Sequence, residues 1–285
     1  MKDSSPSAAA RYLNLGCGGR THPDWINIDI APGLPEVMQH DLSKGIPFPD
    51  QSCEIVYHAA VLEHLRRADA ETFVTDCFRV LKSGGILRVG VPDLEQICRV
   101  YLDTLDKAAA GDPQAAHDYD WMMLELLDQT VRETGGGGML RYLHQTPLPN
   151  QPFVFERIGE EGRELVESLQ RKRSKKRSKR QRTGVRAQLR LLPRRLKQQV
   201  LQLLLGEDGM QALAIGRFRL AGEVHQWMYD RYSLARLLRS VGFEEVVLQS
   251  AETSQIPNWQ RFHLDTTPEG NPIKPDMFFM EAVRP

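Results

Sequence analysis

"YLNLGCGGR", Tyr12–Arg20, decides how the chain is read. Tyr12, Leu13 and Leu15 favour a strand, and they run straight into Gly16-Cys17-Gly18-Gly19. Glycine reaches positive φ and carries no Cβ to hold a ligand away from the backbone, so such a stop makes a tight, open turn. Open α/β sheets receive nucleotide-like ligands at a turn of this kind, at the carboxyl ends of their strands. A plain glycine turn accounts for these residues equally well, and the pattern that follows has to separate the two.

Apolar segments recur in order along the chain. "WINIDI" reads as a second strand ending at Asp29, "EVMQHDL" as a short third ending at Asp41, and "CEIVYHAA" as a fourth. "AETFVTDCFRVLKSGG" spaces Phe73, Val74, Cys77, Phe78 and Leu81 as one face of a helix with a glycine stop. "ILRVGVPD" is a fifth strand, "DRYSLARLLRSVGF" an amphipathic helix, and "FEEVVLQS" and "MFFMEAVR" two closing strands. Strands alternating with crossovers predict a mostly parallel sheet. Asp29 and Asp41 then stand at successive strand ends, where a carboxylate can accept from ribose hydroxyls or an adenine amino group. Each alone also reads as a turn or cap residue.

The composition is that of a globular protein, 41% hydrophobic and 26% charged over 285 residues. No apolar run reaches transmembrane length, and the first residues, "MKDSSPSAAAR", lack a leader's apolar core. A cytoplasmic location is expected. Cys17, Cys53, Cys77 and Cys98 show no metal-like pairing and read as free thiols. The zero net charge conceals a segregation: Arg163 to Lys197 holds 15 Lys or Arg against two Glu. This basic flexible arm, 163–197, supports contact with an anionic membrane surface or RNA through 171–197, or is a solvated insertion.

The nicotinamide fingerprint is missing, since Thr21 occupies its last glycine position, and there is no G-K-[ST]. In "YLNLGCG", "NID", "HDL", "IPFPDQSCEIVYHAAVLEHL" and "VLKSGGILRVGVPD" the chain resembles the class I S-adenosylmethionine-dependent methyltransferases, the type 11-like subgroup most of all. More loosely, "YDWMMLELLDQTVRETGG" and "HQWMYDRYS" resemble segments of bacterial members linked to surface-polysaccharide synthesis. The resemblance implies an α/β fold with a Rossmann-like seven-stranded methyltransferase sheet, order 3-2-1-4-5-7-6, last strand antiparallel. It divides the chain into a cofactor-binding part, 11–97, a helical insertion or lid, 98–224, and a C-terminal part, 225–285. S-adenosyl-L-methionine would be the cofactor, with Gly16, Cys17 and Gly18 at its methionine part. Asp29 would hold the ribose, Asp41 and Leu42 the adenine, and His58 and Ala59 would face the sulfonium. The short link Cys17–Asp24 predicts a first crossover helix reduced to a turn or replaced by a loop around Pro23.

The reaction implied is methyl transfer to an oxygen, with a nitrogen as the alternative, of a saccharide, glycan or other small acceptor. An RNA methyltransferase and a non-catalytic scaffold remain alternatives. Asn258, Trp259, Arg261, His263 and Asp265 are expected near the cleft, with a loop anchor as the other reading of Trp259, and "GGGG" at 135–138 as a hinge. A hydroxyl acceptor gains from a base, and histidine has a suitable unperturbed pKa. His225 is expected to be that base, with His58 lining the transfer channel and His64 at the cleft floor beside Glu63. A metal-binding segment in some small-RNA and quinone-pathway methyltransferases carries Glu-x-x-Glu-His, but Ala60 stands at its first position here. Two ligands make a poor site, and no metal is expected.

Overall fold

The computed structural model describes residues 11–178 and 192–285. Its strands are β1 (Tyr12–Leu15), β2 (Ile26–Asp29), β3 (Met38–Gln39), β4 (Cys53–Ala59), β5 (Leu81–Pro92), β6 (Glu244–Gln249) and β7 (Met277–Val283). They form one sheet in the order β3-β2-β1-β4-β5-β7-β6. β1 to β5 run parallel, with Leu13 beside Ile26 on one flank and Val56 on the other, and β7 runs antiparallel to β5 and β6. The chain winds outward from β1 to β3, then returns to β4. The crevice between the carboxyl ends of β1 and β4 is therefore the topological switch point, where ligands of such sheets bind.

Strand alternation sends successive side chains to opposite faces. Leu13, Leu15, Val56, Leu87, Val89 and Met280 share one face and bury it against Phe73, Val74, Leu234 and Leu238. These last come from α1 (Arg67–Val80) and α7 (Arg231–Val241). Asp230 caps α7, accepting from the amides of Tyr232 and Ser233, and Gly242 ends it at φ 111°.

The other face is built differently. No helix joins β1 to β2; the link is a turn closed by Cys17 N to Ile28 O at 3.1 Å and Arg20 N to Cys17 O at 2.8 Å. The connection from β6 to β7 lies on this face, where Ile256, Trp259, Phe262 and Leu264 pack on Trp25, Ile55 and Tyr57. Trp259 is thus a buried anchor of that connection. Beneath it Arg88 of β5, fully buried, pairs with Asp265 at 2.8 Å and Glu281 at 2.7 Å. Its guanidinium lies 4.4 Å from the Trp259 ring centre and 4.6 Å from that of Phe279.

The insertion contains α2 (Leu94–Ala109), α3 (Pro113–Val131), α4 (Gly137–Leu143), α5 (Gln151–Ser178) and α6 (Leu192–Arg219). It has its own core of Ile97, Trp121, Met122, Leu143, Leu148, Val154 and Val166. α2 starts directly from the Asp93 cap at the end of β5, and Tyr229 bridges back to Asp93 where the chain returns. The glycines at 135–138 make a close approach where a hinge was expected. A Cβ on Gly137 would stand 2.3 Å from Asp128 Oδ2, and the Gly138 amide donates to Asp128 Oδ1. The centre of the basic arm, 179–191, lies outside the described residues.

Candidate functional site

A cavity of about 460 Å³ opens at the switch point, lined by Asn14, Gly16, Cys17, Gly18, Ala59 and Ala60, and from the β6–β7 connection by Leu264 and Asp265. Gly16 has φ 64°, and a Cβ there would meet Val61 Cγ2 at 2.5 Å. Gly18, at φ 53°, donates its amide to Asp29 Oδ2 at 2.9 Å. The other Asp29 oxygen accepts from the Ala31 amide at 2.8 Å. The carboxylate is thereby fixed beside the glycine turn, and each oxygen keeps a second lone pair. Cys17 is buried, and burial, followed by the nearby Asp29 charge, pushes its thiol up to about 11. It lines the cavity as a neutral group.

Three expected residues stand elsewhere. His58 and Ala59 alternate on β4, and only Ala59 lines this cavity. His58 is buried on the α1 side with its ring 5.1 Å from that of Phe73. His58, expected to line a transfer channel, does not border this cavity, and burial pushes its pKa down to about 3. Asp41 caps the short 3-10 turn Leu42–Lys44, accepting from the Ser43 amide and hydroxyl at 3.1 and 2.7 Å. Leu42 lines a separate depression with Val61 and Leu65. Neither Asp41 nor Leu42 borders the cavity that the glycines line.

A second cavity, about 340 Å³, lies between sheet and insertion, lined by Glu63, His64, Trp121, Gln129, Arg132, His225 and Asp276 among others. Ala60, Glu161, Lys274 and Met277 line both cavities, so the two adjoin. Ala60, the residue after β4, has φ 56°, and its amide donates to Gly90 O at 3.1 Å. That left-handed conformation is costly for alanine, and such strain collects at functional sites. Lys274 pairs with Glu161 of the insertion at 3.2 Å, tying α5 to the last connection.

His64 and His225 meet in this second cavity, their rings perpendicular and 4.8 Å apart. His64 and Glu63 belong to a 3-10 turn, Leu62–His64, after β4. His225 is delivered by the insertion's return, its amide on Gln129 O at 2.9 Å. Burial, then the neighbouring His64, pushes His225 down to about 3, and burial raises Glu63 to about 7. Glu63 was expected to orient His64 or a backbone amide; among the described residues neither of its oxygens has a partner. Lys274, Asp276 and Glu161 were not singled out from the sequence, because an isolated charge in a loop or on a long helix carries no periodic signal.

A family described as a methyltransferase domain matches residues 13–89. A protein of Mycobacterium tuberculosis described as a probable S-adenosylmethionine-dependent methyltransferase is 43% identical over 58 residues, 20% of each chain. One of Mycolicibacterium smegmatis, described in the same terms, is 39% identical over 56 residues, 20% of this chain and 21% of that one. The chain thus matches about a fifth of the length of these curated relatives. A solved structure from Thermotoga maritima, described as a possible histamine N-methyltransferase, overlaps 97% of this chain and 83% of its own at 12% identity and TM-score 0.39. The strand order and the glycine turn at the switch point agree with the match of residues 13–89 to the methyltransferase-domain family.

Proposed function

We propose that the chain transfers the methyl group of S-adenosyl-L-methionine to an oxygen of a small, hydroxyl-rich acceptor of the saccharide type. The observation that carries this reading is the junction of the two cavities along Ala60 and Met277. A cofactor with its methionine part at Gly16–Gly18 and its ribose on Asp29 would present its methyl group towards that junction. An acceptor in the second cavity would meet it there. Holding the two reactants in line removes much of the entropic barrier to the displacement. The lining of the second cavity suits a sugar: Trp121, Met139 and Ile158 offer apolar surface, while Gln129, Arg132 and Asp276 offer hydrogen-bonding groups. The acceptor's hydroxyl would be activated at the group formed by Glu63, His64 and His225.

The proposed division of labour puts cofactor binding in 11–97, acceptor binding between 98–224 and 225–285, and membrane contact in the basic arm. The acceptor half is tested with a labelled methyl donor and a cell-surface glycan extract. His225→Ala should lower turnover by about 10²–10⁴-fold while S-adenosylmethionine affinity stays at the wild-type value. Wild-type turnover by the variant would remove His225 from the reaction.

A further inference from the structure

We infer that Glu63, His64 and His225 form a binding site for one divalent first-row transition ion, with Zn²⁺ as the type case, in the wall of the second cavity. The inference rests on reading that cavity as the acceptor site. Each residue offers one ligand atom, and these atoms all lie within 4.8 Å of one another. Ligands at about 2.0–2.2 Å from a tetrahedral zinc stand roughly 3.3 Å apart, so small side-chain rotations close the set.

The second observation is unmet bonding capacity. Glu63 is 1% exposed and His225 6% exposed. Both Glu63 oxygens, His64 Nδ1 and His225 Nδ1 are buried without a hydrogen-bond partner among the described residues. Burying such groups costs free energy unless something satisfies them, and orphaned groups converging on one point call for a shared partner. A cation held by one ligand atom from each of the three residues would meet this need.

The backbone holds the set in place from two sides. Gln226 N and Trp227 N both donate to Glu63 O, at 2.7 and 3.2 Å, which fastens the His225 segment to the turn carrying the other two ligands. The nearest cations are neutralised: Arg132 by Asp128 at 3.0 Å and Glu223 at 3.2 Å, Lys274 by Glu161 at 3.2 Å.

Two imidazoles and one carboxylate suit Zn²⁺, Co²⁺ or Mn²⁺ better than Mg²⁺ or Ca²⁺, which seek oxygen ligands. Three protein ligands leave at least one coordination position, and the cavity supplies the room for it. An acceptor hydroxyl in that position becomes more acidic, as ion-bound water does. His225 then serves as a ligand, in place of the free base expected from the sequence.

The full-length protein, freed of metal with a chelator, is titrated with Zn²⁺ by calorimetry and with Co²⁺ by visible absorption. The site predicts one ion per chain, no thiolate charge-transfer band, and a higher Tm with Zn²⁺. Glu63→Gln and His225→Ala should each weaken binding at least tenfold and abolish the Tm rise. Glu63→Gln keeps the side chain's shape and carries the test if His225→Ala does not fold by circular dichroism. Absence of saturable binding, equal binding by the variants, or a thiolate band from the free cysteines would overturn the site. S-adenosylmethionine binding is measured in parallel. A protein that binds S-adenosylmethionine but no Zn²⁺ refutes the metal site alone, and one that binds Zn²⁺ but no S-adenosylmethionine refutes the methyltransferase reading.

Discussion

Arg88 ties the last connection of the chain to the middle of the sheet. Besides its two carboxylate partners it donates to Thr253 O at 2.9 Å and Ser250 O at 2.8 Å. Asp265 also accepts from Tyr57, and Glu281 from the Gln255 amide at 2.6 Å. A buried ion triad stabilises little against a well-packed apolar substitute, but removing one member strands the others. Arg88→Met leaves two buried carboxylates without their cation and should cost about 3–5 kcal/mol in urea unfolding. A loss below about 1 kcal/mol would show that the carboxylates find other partners. An arginine inside "ILRVGVPD" was visible in the sequence as a break in an apolar run. Its partners were not, because Asp265 and Glu281 stand 177 and 193 residues away. The side His58 faces was hidden for a related reason: its place near a strand end was legible, while its face depended on register.

Elements were the most legible level, since hydrophobic period and glycine stops are local signals. The exceptions were elements whose role depends on what covers them. The short β1–β2 link announced a missing helix, yet nothing local told that residues 250–276 would cover the face it vacates. α6 is another such element. Beyond the basic run it exposes Leu203, Leu204 and Leu205, which are 86%, 75% and 44% exposed. Leucines standing in water beside a cationic segment match the chemistry of an anionic bilayer surface, where apolar and electrostatic attraction add. Among the described residues no helix is long and apolar enough to cross a membrane. The chain should therefore sediment with phosphatidylglycerol vesicles at low salt, and deletion of Arg171–Arg182 should reduce that binding while leaving cofactor affinity intact. Equal sedimentation after the deletion, or retention on RNA but not on vesicles, would contradict the membrane reading.

At the scale of the molecule, the two halves of the proposed site differ in how local their residues are. The proposed cofactor half draws on Gly16, Gly18 and Asp29, all within 14 residues and all set by local turn chemistry. The proposed acceptor half would be assembled from the turn after β4, the insertion and the approach to β7. Glu63 and His225 are 162 residues apart, and only the folded chain makes them neighbours. The central claim is that the glycine turn and Asp29 receive S-adenosylmethionine. Calorimetric titration of S-adenosylmethionine into wild type and Asp29→Ala tests it most directly. Saturable one-to-one binding is predicted for the wild type, weaker by about 1.5–3 kcal/mol in the variant, as for the loss of a charged hydrogen-bond acceptor. Equal affinity in the two proteins, or no saturable binding by the wild type, would contradict the account.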